Sequence, residues 1–143
     1  MKEKIIYTLG TSRRTEEDFI EILLAYGIAC LIDVRRFPKS KIHGFSKEEL
    51  IESLYLNGIR YYWLEGLGGF RKGGYEAYSQ TEEFKNAVSG LEEIAKQAVS
   101  VVLCAERFPW KCHRRWIARE LQRRGWHVIH IIDKDKVWEP KTA

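Results

Sequence analysis

The chain is poor in several residue types. Its 143 residues include one Met, three Pro, three Cys, two Asn and three Gln. Three cysteines, Cys30, Cys104 and Cys112, are too few and too odd in number for the disulfide framework of a small secreted domain. No apolar run approaches the roughly 20 residues that a membrane-spanning helix needs. The N-terminus, MKEKIIYTLG, lacks the long apolar core of a signal peptide and reads as a first strand. The expected location is therefore cytoplasmic, with no membrane partner. Scarce Asn, Gln and Met beside abundant Lys, Arg and Glu match the usage of thermophilic proteins.

Hydrophobic residues make up 45% of the chain and charged residues 31%, which is a globular composition. The length suits a single domain spanning residues 1–143. Its net charge of +4 is concentrated. Residues 107–124 hold Arg107, Lys111, Arg114, Arg115, Arg119, Arg123 and Arg124 against Glu120, or +6, which leaves the rest at −2. Residues 33–41 hold a further +3. Two basic segments on an acidic remainder point to a local anionic ligand, such as a small phosphate- or sulfur-containing substrate. A solvated basic helix face, with or without affinity for nucleic acid, is the plainer reading.

Short β-rich runs cover residues 5–9, 29–34, 59–64, 99–104 and 127–132, mostly without polar alternation, as in strands buried on both faces. Helical patterns lie between them. Thr15 precedes an acidic turn, Ser46 and Glu49 form a capping box, Thr81 opens a third helix, and a fourth begins near Cys112. This alternation predicts one layered α/β domain with a mainly parallel central sheet of about five strands flanked by helices. Residues 35–45 and 66–80 are irregular, and 133–143 read as a charged tail onto which Trp138 could fold back.

In such a sheet, ligands sit beyond the carboxyl ends of the strands. Three segments there carry chemistry. In LCAERFPWKCHRRW, a strand ends at Cys104, and Cys112, His113 and Arg114 open a helix. A helix start presents free N–H groups and partial positive charge, which favour an anion or a thiolate. Cys104 and Cys112 are thus candidate nucleophiles or redox thiols, His113 a candidate acid/base, and Arg114 a candidate anion clamp. Inert buried cysteines are the alternative. In LIDVRRFP, Asp33 near the end of a buried strand needs a partner, and Arg35 could point into the same cleft as a second clamp. In YTLGTS, Gly10 permits a tight turn and Ser12 offers a hydroxyl, so the pair could help cradle an oxyanion. Tyr75 and Tyr78, in a glycine-rich loop, could close over a ligand or simply pack that loop. Cys104, Cys112 and His113 with His43 or Cys30 lack the spacing of a zinc site. No metal or cofactor is expected, and oligomeric state is open.

The motifs YTLGTSRR, LIDVRRFPKS, GIRYYWLEGLGG and VVLCAERFPWKCHRRWIARELQRRGWHVIHI resemble, in order and spacing, the DUF488 family of domains of unknown function. The resemblance implies that Thr8, Gly10, Ser12, Asp33, Arg35, Pro38, Ser40, Leu67, Gly68, Gly69, Cys104, Glu106, Pro109, Cys112, His113 and Arg114 occupy motif positions; of these, Asp33 and Glu106 are candidate orienting carboxylates. A more distant likeness is to rhodanese-like sulfurtransferases, in which LIDVR looks like the aspartate-arginine strand end and Cys104 takes the persulfide-carrying position. The chain departs from that pattern at Pro109, where a six-residue cysteine loop would carry Arg. It departs from the cysteine phosphatase pattern at Trp110. The resemblance implies a rhodanese-like architecture and a thiol-dependent transferase. The competing expectations are a nucleic-acid-binding or processing domain and a non-catalytic phosphate-ligand module.

Overall fold

The computed structural model describes residues 4–38, 44–69 and 71–140. Lys39, Ser40, Lys41 and His43 fall outside them. The chain runs β1 (Ile5–Gly10), α1 (Glu16–Ala25), β2 (Cys30–Asp33), α2 (Lys47–Leu56), β3 (Arg60–Trp63), α3 (Tyr75–Tyr78), α4 (Glu82–Ala95), β4 (Ser100–Cys104), α5 (Arg114–Arg123), β5 (His127–Asp133) and β6 (Lys136–Trp138). The helices start where the sequence provides acceptors for their first N–H groups. Thr15 accepts from Asp18 N, Thr81 accepts from Phe84 N, and Ser46 and Glu49 cap one another reciprocally.

The strands form one six-stranded sheet in the order β3-β2-β4-β1-β5-β6. β1 to β5 are parallel, and β6 turns back antiparallel to β5. The architecture is thus α/β with a mostly parallel central sheet, as expected, with one more strand. The extra strand lies within the segment read as a charged tail. Three residues after a tight turn carry too little periodicity to signal a strand, but Trp138 stacks on His130 with ring centroids 5.4 Å apart. The four-residue α3 was likewise hidden in the glycine-rich stretch.

The pleat divides the core in two. Leu9, Leu31, Val101 and Leu103 face α1 and α2, where they meet Phe19, Leu23, Leu50 and Leu54. Ile6, Ile32, Val102 and Cys104 face α4 and α5, where they meet Phe84, Val88, Ile117 and Leu121. In register, Gly10 lies beside Cys104 and Asp33 beside Leu103. The ends of β1, β2 and β4 therefore meet at one level, while Cys104 and Asp33 project from opposite faces. No helix among the described residues is long and apolar enough to cross a membrane.

Candidate functional site: a dithiol at a helix start

β4 delivers Cys104 to the sheet edge with 1% of its surface exposed. The loop after it is shaped by Pro109, which begins a 3-10 turn over Pro109–Lys111 and leaves Cys112 extended (φ −130°, ψ 150°). The helix α5 therefore begins at Arg114 rather than at Cys112, and Cys112 is folded back over Cys104. The two Sγ atoms are 2.7 Å apart. Arg114 Nη1 donates to Cys104 Sγ at 3.2 Å, and Nη2 donates to the Arg107 carbonyl. The Arg114 backbone N–H, at the start of α5, reaches Cys112 Sγ at 3.4 Å.

Burial opposes a charge on Cys104, but the Cys112 hydrogen bond, the Arg114 guanidinium and the Glu106 backbone outweigh it and hold the thiol below its ordinary value. Cys112 is pushed well above that value by burial and by the neighbouring Cys104 charge. Ionisation of the pair is therefore easier at Cys104, beside Arg114, than at Cys112. Burial also raises the isolated Cys30 thiol.

His113 adds a third group. Its Nε2 lies 2.9 Å from the Val34 carbonyl, which can only accept, so Nε2 carries the hydrogen. That tautomer leaves the Nδ1 lone pair facing Cys112 Sγ at 3.6 Å. Burial lowers the His113 pKa, against the Val34 hydrogen bond, so the ring is a neutral base. The Tyr75 ring packs on the imidazole at 5.0 Å. A side chain at position 69 would stand 3.3 Å from Nδ1, so Gly69 leaves that face of the ring uncrowded.

A cleft of about 420 Å³ opens over this site, lined by Arg35, Arg36, Phe37, Gly69, Ala105, Glu106, Lys111, Cys112 and His113. Its size suits a small molecule. Cys112 lines the cleft, and Cys104 lies behind it.

The other expected site residues are placed differently. Arg114 is fully buried and serves the Cys104 sulfur rather than a ligand in the cleft. Arg35 donates from Nε and Nη2 to both oxygens of Asp33 and from Nη1 to the Phe45 carbonyl, so most of its guanidinium is committed on the α1/α2 face. Asp33 does orient an arginine, and Tyr61 also donates to it. The shared parity of Asp33 and Arg35 made a pair readable; the pleat puts Asp33 on the opposite face from Cys104, while Arg35 still lines the cleft. Gly10 and Ser12 pack against the loop that joins Cys104 to Cys112. The Thr11 and Ser12 N–H groups bond to the carbonyls of Cys104 and Ala105, and the Glu106 carbonyl closes on Gly10. Glu106 itself is exposed in the cleft wall. Tyr75 and Tyr78 bond to the carbonyls of Leu67 and Gly66 and pack on Phe84, and so hold their own loop.

Much of the basic charge is neutralised locally. Arg123 and Arg124 pair with Glu120, Arg124 also pairs with Glu92, and Arg107 pairs with Asp133. Of residues 107–124, the basic side chain that lines the cleft is Lys111. The His113 tautomer was not readable from sequence, because it depends on a carbonyl 79 residues away.

The family model described as domain of unknown function DUF488 matches residues 15–121. The chain belongs to the DUF488 family. The matched residues of this DUF488 chain include Asp33, Arg35, Cys104, Cys112, His113 and Arg114, whereas Gly10 and Ser12 precede them. No curated protein and no solved structure matches the chain.

Proposed function

We propose that this DUF488 protein is a cysteine-dependent transferase acting on a small sulfur-containing anion, in the manner of a sulfurtransferase. The observation that carries the reading is the cleft thiol of Cys112, set between a neutral imidazole and a second thiol held by a buried arginine. Cys112 Sγ attacks the terminal sulfur of a donor such as thiosulfate while its proton passes to His113 Nδ1. A Cys112–sulfur bond forms, the donor S–S bond breaks, and sulfite leaves with the bonding pair. Transfer of the sulfur to a thiol acceptor restores Cys112. Lys111 in the cleft wall, with Arg36, whose Nε also lies 3.8 Å from Glu65, favours an anionic donor, although Glu106 opposes them. Thiol chemistry of this kind suits a reducing compartment such as the cytoplasm. The local pairing of Arg107, Arg123 and Arg124 makes the cleft a better site than a basic nucleic-acid face, and the nucleophile-base geometry exceeds what a passive phosphate module needs.

The test is mass analysis after exposure of the reduced protein to thiosulfate. One added sulfur on Cys112 is expected with Cys104→Ser, where no second thiol competes, and none with Cys112→Ser. Absence of any adduct on Cys112 in the Cys104→Ser protein refutes the proposal.

A further inference from the structure

The position of Cys104 has a use that one-thiol transfer does not need. We infer that Cys104 is a resolving thiol, and that the protein exchanges electrons with the disulfides of small anionic thiols by closing a Cys104–Cys112 disulfide. This rests on the proposed nucleophilic role of Cys112 and adds a second activity to the same site.

Four observations carry it. Cys104 Sγ sits 2.7 Å from Cys112 Sγ, behind it as seen from the cleft. Arg114, fully buried, donates to that sulfur at 3.2 Å and so favours a thiolate there. Cys112 has 8% of its surface exposed and Cys104 1%, so an incoming disulfide meets Cys112 first. Phe37, Arg36 and Lys111 complete a wall suited to an anion with some apolar surface.

The steps balance. Cys112 Sγ attacks R–S–S–R, its proton goes to His113 Nδ1, and one R–S⁻ leaves. The Cys104 thiolate then attacks Cys112 Sγ, the Cys112–S–R bond breaks, and the second R–S⁻ leaves, with one leaving thiolate taking the proton from His113. The substrate disulfide gains two electrons and the cysteine pair is oxidised. Reduced thiol R–SH, in excess, drives the reverse. The protein itself favours that reversal, because oxidation removes the anion that Arg114 binds. Arg114 Nε already has no acceptor among the described residues, so the buried guanidinium would be left with the Arg107 carbonyl alone. Disulfides whose reduced form is stabilised in this way are strong oxidants.

The experiment treats the reduced full chain with oxidised glutathione, quenches with acid and maps the cysteines by mass. The expected wild-type product is an internal Cys104–Cys112 link with no retained glutathione, returned to dithiol by excess reduced glutathione. Cys104→Ser should instead retain glutathione on Cys112, and Cys112→Ser should retain none. The uncharged hydroxyethyl disulfide should react more slowly than oxidised glutathione, with a gap that closes as salt rises. A wild-type protein that keeps glutathione on Cys112 without an internal link overturns the resolving role and leaves the transferase reading intact. Failure of Cys112 to react with either thiosulfate or oxidised glutathione overturns both. Equal rates with the two disulfides at low salt overturn the anionic substrate class.

Discussion

Replacing Gly10 by alanine separates a structural role from a ligand-binding one. A Cβ at this position would stand 1.8 Å from the Glu106 carbonyl oxygen, 2.5 Å from its carbon and 2.9 Å from Arg107 Cα. All three are backbone atoms, so no side chain can swing aside. The loop must retreat by ~1.2 Å merely to restore a 3.0 Å contact. Such overpacking costs about 1–3 kcal/mol, read as a lower midpoint in urea unfolding. The retreating segment is the one that joins Cys104 to Cys112, anchored through Thr11 N to the Cys104 carbonyl and Ser12 N to the Ala105 carbonyl. A shift of about 1 Å at a reacting pair costs roughly 10²-fold in rate, so alkylation of Cys112 by iodoacetamide in the folded protein should slow by about that factor. A Gly10→Ala protein with wild-type midpoint and wild-type alkylation rate refutes this reasoning.

Asp33→Asn breaks the buried pair with Arg35, whose Nη2 lies 2.8 Å from Asp33 Oδ2; it should cost about 3–5 kcal/mol, read as a lower midpoint in urea unfolding. His113→Ala should slow sulfur transfer from thiosulfate by about 10²-fold. The wild-type rate should persist in acid to below pH 6.5, the ordinary histidine value, since the folded ring is held neutral there. The thiol pair also sets a pH profile of stability. Cys104 is held below the ordinary 9.0, so as pH falls from 9.0 toward its folded value the unfolded chain gains a proton that the folded chain does not, and stability falls. Cys112 is held above 9.0, so as pH rises past 9.0 the unfolded chain loses a proton that the folded chain keeps, and stability falls again. The difference in urea midpoint between wild type and the Cys104→Ser, Cys112→Ser double variant should therefore peak near pH 9, with flanks of at most about 1.4 kcal/mol per pH unit; a flat difference contradicts the assignment.

Much of the fold was legible because strand and helix signals are local. The caps at Thr15, Ser46 and Thr81 and the apolar runs that end at Asp33 and Cys104 announce their elements. β6 was not legible, since Lys136–Trp138 is held by pairing with β5 and by the Trp138–His130 stack rather than by its own pattern. The candidate site was legible in its members and less so in their partnerships. The helix start marked Cys112, His113 and Arg114, but topology alone suggested that Arg35 and Arg114 would share one cleft. Arg35 does line the cleft, with its guanidinium held by Asp33, whereas Arg114 turns inward from α5 onto a sulfur. Gly10 looked like part of an anion cradle because a glycine turn serves close backbone approach of any kind. Only the position of the Glu106 carbonyl decides which. The +6 segment likewise suggested a charged site, until Glu92 and Asp133 met it from elsewhere in the chain.

The central claim is that Cys112 is the reactive thiol of the chain, and site-resolved alkylation tests it most directly. The native reduced protein is treated with a low concentration of iodoacetamide near neutral pH, and the extent of modification at Cys30, Cys104 and Cys112 is followed with time. Cys112 should be modified first, with Cys104 shielded behind it and Cys30 inert until the protein unfolds. Modification of Cys30 as fast as Cys112, or no modification of Cys112 before unfolding, contradicts the account.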